Sequence, residues 1–252
     1  MTTDGRIEAV LAQVDGWGAE RASVAAVGPD GVIATHGDLD HRYRWASVTK
    51  LVTALTVLIA ADRGLMDLDE PAGPPGATVR HLLAHTSGLA FEGEAVLARP
   101  GTRRIYSNPG FDALGALVAI RAAAPFERAL GAWVLEPLGM TATVLRDRPS
   151  QGLHGSLRDL AALARELLRP TLLPDATMAI ATRVAFPGLA GVVPGVGRFD
   201  HCDWGLGLEI HGAKDPHWMG RRNSPQAFGH FGGAGTFLWV DPVADLALAL
   251  LT

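Results

Sequence analysis

One cysteine, Cys202, is all the thiol chemistry available to this 252-residue chain. A lone thiol excludes an intramolecular disulfide framework and a Cys-rich zinc site. With no Cys/His context around it, Cys202 is expected to be a buried bystander. Excess positive charge is also missing: the net charge is −4 and no Lys/Arg-rich run occurs. Nucleic acid and anionic membrane surfaces are therefore not expected partners. Nor is there an apolar run of the roughly 20 residues that a membrane-spanning helix takes. The longest, Leu51 to Ala61, is bracketed by Lys50 and Asp62 and reads as a core helix. The opening MTTDGRIEAVLAQV lacks the basic-then-apolar pattern of a secretory leader, so a cytoplasmic protein is expected. No internal repeat is evident, and no G-x-S-x-G elbow occurs.

What is present is an ordinary globular balance, 48% hydrophobic and 19% charged residues, in a chain long enough for one large domain or two packed lobes. Residues 5–16 place Ile7, Val10, Leu11 and Val14 on one helical face. SVAAVG (23–28) and GVIATHG (31–37) read as a hairpin. A helix runs from Ser47 toward a Gly64 cap, and a short one covers 78–86. Residues 99–110 are too rich in turn formers for a regular element, 111–136 are helical in two pieces broken near Pro125, and Ser156 opens a helix over 157–168. Another helix starts at Pro174-Asp175 and reaches about Val184. Period-2 patterning then covers 204–212, 228–240 and 245–251, with Asp241-Pro242 as a turn. Strands at both ends and helices between them predict an α+β fold: an antiparallel sheet built from both termini, with flanking helices and an inserted helical lobe. The expected organisation is a single domain of 1–252, with an α/β lobe at about 1–68 and 200–252 and a mainly helical lobe at about 69–199.

Three segments could carry chemistry. In Ser47-Val-Thr-Lys50 the hydroxyl and amine share a helix face. A serine hydroxyl needs a base to become nucleophilic, and a lysine serves if burial or a neighbouring cation lowers its pKa. A helix N-terminus favours the negative charge that develops in acyl transfer. Tyr106-Ser-Asn108 offers a phenol that a nearby ammonium could ionise, and an amide for a substrate carbonyl. His230-Phe-Gly232-Gly233 lies in a strand-like run whose glycines let a ligand approach the main chain. Taken singly, each also has a bland structural explanation: a helix cap, a surface tyrosine, a glycine-softened strand.

In combination and order, the three segments resemble the penicillin-recognising serine hydrolases. Among these they look most like the branch with a tyrosine-first second motif: class C β-lactamases, certain DD-carboxypeptidases, D-aminopeptidases and β-lactamase-like esterases. HLLAHTSGL (81–89), PGTRRIYSNPGF (100–111) and GHFGGAGTFLWVDP (229–242) add to the likeness. The resemblance implies a β-lactamase-like fold, an acylated Ser47 beside Lys50, and Tyr106 as general base and then acid. It also implies that Asn108 binds the substrate carbonyl, that His230 replaces the third-motif lysine, and that the Gly233 N–H completes an oxyanion hole. Neither cofactor nor metal is implied; His81 and His85, four residues apart, are expected to serve structural hydrogen bonds. As an imidazolium opposite a substrate carboxylate, His230 would make activity fall as pH rises past its ordinary range. The short segment 141–155 implies a lower cleft rim; the sequence ends at a strand, so either a covering terminal helix lies outside it or the sheet face is covered some other way. Small esters, amides or β-lactams are the expected substrates, with esterase activity favoured over β-lactamase or DD-peptidase activity. A non-catalytic penicillin-binding-like module is the alternative outside enzymology. Oligomeric state stays open.

Overall fold

The computed structural model describes residues 3–252. Helix α1 (Thr3–Leu11) continues through a 3₁₀ segment to Trp17 and is followed by β1 (Ser23–Gly28), β2 (Gly31–His36) and β3 (Tyr43–Arg44). A 3₁₀ turn, Ala46–Val48, leads into α2 (Thr49–Asp62). Then come α3 (Val79–Leu83), β4 (Arg104–Ile105), α4 (Asn108–Ala122), α5 (Phe126–Leu130), β5 (Val144–Leu145) and β6 (Leu153–Gly155). Helices α6 (Leu157–Leu168) and α7 (Asp175–Ala181) precede β7 (Gly191–Val193), β8 (Gly197–Phe199) and β9 (Glu209–Ile210). The chain closes with β10 (Phe228–Gly232), β11 (Thr236–Asp241) and β12 (Leu246–Leu251).

The main sheet is antiparallel in the order β2-β1-β12-β11-β10-β9. The first strands therefore pair with the last, Ala25 lying opposite Ala249, as the two sets of apolar runs predict. Strand β1 is buried along its whole length because both sheet faces are covered. On one face, Leu11 and Val14 pack against Val24, Ala26 and Leu250. On the other lies α6, packed against β1 and β12. That placement revises the expected lobe division: α6 falls within 69–199, yet it is a layer on the sheet. Its apolar stripe of Leu157, Leu160, Ala164 and Leu167 is buried there.

Two strand expectations also change. The run 228–240 is a hairpin, not one strand, because Gly235 adopts φ 81 and its N–H closes a 3.0 Å bond to the Gly232 carbonyl. In 204–212 only Glu209–Ile210 forms a strand of the sheet. Gly207, at φ 89, instead donates its N–H to the Leu83 carbonyl at the end of α3. The turn-rich stretch 99–110 in turn hides the start of a helix. Ser107 caps it, accepting from the Gly110 N–H at 3.2 Å, and Asn108 thereby becomes its first residue. Among the described residues, no helix is long and apolar enough to cross a membrane.

Candidate active site

Ser47 lies in the 3₁₀ turn just ahead of α2, half-buried at the floor of a cleft of about 430 Å³. The residue before it, Ala46, has φ 47, a left-handed conformation that costs a non-glycine residue about 1–2 kcal/mol. Neighbouring bonds hold the turn in that shape. The buried Trp45 donates its N–H to the Leu153 carbonyl at 2.9 Å, and its own carbonyl accepts from Thr236 Oγ1 at 2.9 Å. Gly232 makes this approach feasible: a Cβ there would lie 2.6 Å from the Trp45 carbonyl and 2.4 Å from Thr236 Oγ1. Gly232 is thus a packing residue beneath the serine turn rather than a substrate contact. Gly233, one step on, has open space where a Cβ would point and lines the cleft. A Gly232→Ala variant is expected to lose about 1–3 kcal/mol of stability through overpacking, read as a lowered Tm, together with a fall in kcat.

Lys50 is fully buried. Its Nζ lies 2.5 Å from Asn108 Oδ1, 2.8 Å from the Ser150 carbonyl and 3.5 Å from Ser47 Oγ. Burial lowers its pKa from 10.5 to about 7, only partly opposed by the carboxylates of Asp112 and Glu92. Near neutrality a large share of these amines is uncharged. A neutral amine has two N–H bonds and one lone pair. The Asn108 and Ser150 oxygens can only accept, so they take both hydrogens and leave the lone pair for the Ser47 hydroxyl.

Tyr106 is buried between His85, stacked at 4.4 Å between ring centroids, and the edge of Trp204. Burial raises the phenol pKa above its usual value, outweighing its hydrogen bond with Ser47. This corrects the expectation of a readily ionised tyrosine: Lys50 Nζ lies over the ring, 4.7 Å from its centroid, but burial takes charge from that amine too, and desolvation of the phenolate prevails. His230 is corrected similarly. Its Nδ1 lies 2.7 Å from the Phe231 carbonyl, which can only accept, so Nδ1 carries the hydrogen and Nε2 faces the Tyr106 hydroxyl as acceptor at 3.4 Å. Burial, with Lys50 adding to it, lowers the imidazole pKa to about 3. The third-motif position therefore presents a neutral ring, not a cation.

Asn108 lines the cleft and also has partners within the protein. Its oxygen faces the Lys50 amine, and Nδ2 donates to Glu92 Oε1 at 2.7 Å. Only the second N–H of the amide is left for a substrate carbonyl. Arg148 reaches Glu92 at 3.2 Å and Asp112 at 3.3 Å, and Asp112 accepts from the Ser150 N–H at 3.1 Å. The short segment 141–155 thus forms part of the floor, delivering the Ser150 carbonyl to Lys50. Neither Glu92 nor Ser150 was legible in the sequence. Glu92 belongs to no motif, and Ser150 acts through its main chain, which leaves no trace in residue type.

His81 and His85 do not share a helix face, since α3 ends at Leu83 and His85 turns to φ 56. His81 Nδ1 lies 2.8 Å from Thr78 Oγ1 within the cap of α3, and His85 Nδ1 accepts from the Ser107 N–H at 3.1 Å. Trp204 is buried and lines the cleft, whereas Trp218 donates to Glu209 Oε2 at 2.7 Å and packs on Phe231. Cys202 is buried, and burial lifts its thiol pKa to about 11.

A sheet made from both ends of the chain, a helix led by Ser47 and Lys50, and Tyr106 over the amine together define the architecture of the penicillin-recognising class of proteins. The chain belongs to the Beta-lactamase family, whose profile matches residues 9–252. It is similar to a β-lactamase from Mycobacterium bovis, at 51% identity and a TM-score of 0.94, over 96% of this chain and 90% of that one. It is also similar to esterase EstB of Burkholderia gladioli, at 30% identity over 48% of this chain and 47% of the esterase. The D-alanyl-D-alanine-carboxypeptidase/endopeptidase AmpH of Escherichia coli K12 matches at 29% identity over 45% of this chain and 39% of its own length. The chain thus spans less than half the length of these curated relatives.

Proposed function

We propose that this protein hydrolyses small esters through an acyl-Ser47 intermediate. The observation that carries the reading is the placement of Lys50, a buried amine whose nitrogen lies 3.5 Å from Ser47 Oγ and whose pKa burial lowers to about 7. Lys50 takes the Ser47 proton as the oxygen attacks the ester carbonyl, and the resulting oxyanion is met by main-chain N–H groups at Ser47 and Gly233. Tyr106, a phenol at this stage, gives its proton to the departing alkoxide. The Lys50 ammonium then returns a proton to the tyrosine oxygen. Water repeats the sequence in the opposite sense, losing a proton as it attacks the acyl group and restoring the Ser47 hydroxyl. Its other product is a carboxylic acid.

The neutral His230 favours ester substrates over β-lactams and D-alanyl peptides. Both of those carry a carboxylate near the scissile bond, and an uncharged imidazole offers it no ion pair. The likeness to EstB agrees with this preference. A cytoplasmic location, part of the same proposal, would also keep the enzyme away from peptidoglycan. The likeness to the M. bovis β-lactamase supports β-lactam hydrolysis as the second reading. Intact-mass measurement with p-nitrophenyl esters, D-amino-acid amides and β-lactams separates the two. Acylation and release with the esters alone is the expected result. Rapid β-lactam turnover without ester turnover would install the second reading, and no adduct with any reagent would remove both.

A further inference from the structure

Beside the cleft lies a second hollow of about 270 Å³ that shares Phe91, Tyr106 and Pro194 with it. Part of its wall is the small sheet β4-β7-β8. Register sets Ile105 beside Val192, and Val192 beside Arg198. Because side chains alternate along a strand, Arg103, Ile105, Val192 and Arg198 share the outer face, while Arg104 and Val193 turn inward. Burial follows this alternation: Val192 is 54% exposed and Val193 1%. The inward Arg104 is consumed by main-chain carbonyls, those of Cys202, Ala84, Ala185 and Phe186. The outward pair is not. Arg103 and Arg198 are exposed and line the hollow, and neither forms an ion pair among the described residues.

An apolar strip between two unpaired guanidinium groups suits a ligand with an aliphatic body and an anionic end. Arginine is well matched to a carboxylate, which it can grip with two parallel N–H bonds. Continuity with the cleft past Tyr106 places that ligand on the substrate itself. We propose that this hollow is an acyl-chain subsite, selecting substrates whose acyl group is an aliphatic chain ending in a carboxylate, held by Arg103 and Arg198. The proposal rests on the acyl-Ser47 reading and extends it. It is compatible with the neutral His230, because the anion is held at the far end of the chain and not beside the scissile bond.

The test compares p-nitrophenyl hydrogen suberate with its methyl-capped, neutral counterpart. At low ionic strength the half-acid is expected to have a kcat/KM about tenfold higher, the scale of one charge-assisted pair. The ratio should fall toward one in 1 M salt, where charges on an exposed surface are screened, and in an Arg103→Ala/Arg198→Ala double variant. Being a ratio, it is insensitive to any general loss of activity in the variant. Turnover of both esters with a ratio near one in the wild type would overturn the subsite and leave the acyl-serine reading intact. If neither ester is turned over, the acyl-serine reading is judged by the intact-mass panel. Calorimetric binding of monomethyl suberate to Ser47→Ala, with and without the two arginine substitutions, then decides the subsite alone. Loss of binding on removing the arginines supports it; absent or unchanged binding rejects it.

Discussion

Replacing Ser47 by alanine is expected to lower ester turnover by at least about 10⁴-fold, the scale seen when the nucleophile of a catalytic unit is removed. The residue is half-buried and sits in a turn held by main-chain bonds through Trp45. The substitution deletes one oxygen without emptying a core site, and stability should change by less than about 1 kcal/mol. Activity and fold are therefore separable at this position. Intact-mass spectra should show an acyl adduct on the wild type and none on the variant. Residual turnover within tenfold of wild type, from a folded protein, would mean that the acyl group is carried elsewhere.

Lys50→Met should lower activity and change how stability depends on pH. The amine is buried, and its pKa falls from 10.5 to about 7 on folding. Between these values the unfolded chain holds a proton that the folded chain has released. Proton uptake therefore favours unfolding, and stability rises with pH across this interval. The penalty is complete below pH 7 and vanishes toward pH 10.5, at about 1.4 kcal/mol for each pKa unit. Methionine removes the penalty but leaves Asn108 Oδ1 and the Ser150 carbonyl without their donor, each costing about 1–3 kcal/mol. The decisive readout is the pH dependence. Relative to wild type, the variant should gain several kcal/mol as pH falls from 10 to 7. Its turnover should drop at least about 10³-fold. Wild-type kcat/KM should rise with pH through about 7 and then level off, and this limb should be missing in the variant. A wild-type profile that falls through neutrality would reinstate a charged His230 and sink the assignment of Lys50 as the base.

The residues that converge on the serine were legible because each announces itself by type: Ser47 and Lys50 three apart before an apolar helix, and Tyr106 and Asn108 in a turn. The antiparallel sheet was legible because period-2 runs stand at both ends of the chain. Charge state was not. Residue type gives an imidazole or a phenol its ordinary pKa, whereas His230 and Tyr106 take theirs from burial among His85, Trp204 and each other. The hairpin at 228–241 was hidden because glycines interrupt an otherwise continuous alternation. The start of α4 was hidden because Ser107 and Pro109, a cap and a first-turn proline, also read as turn formers.

The grip of the Ser150 carbonyl on the Lys50 amine has an evolutionary consequence. A main-chain oxygen is common to every amino acid, so no codon change at position 150 can erase it. What can displace it is an insertion or deletion in 141–155, or a change at Gly115, where a Cβ would run 2.4 Å from the Pro149 ring. Drift in the strength of this base is therefore governed by loop length and by the residues that position the loop, Arg148 through Asp112 and Gly115 against Pro149.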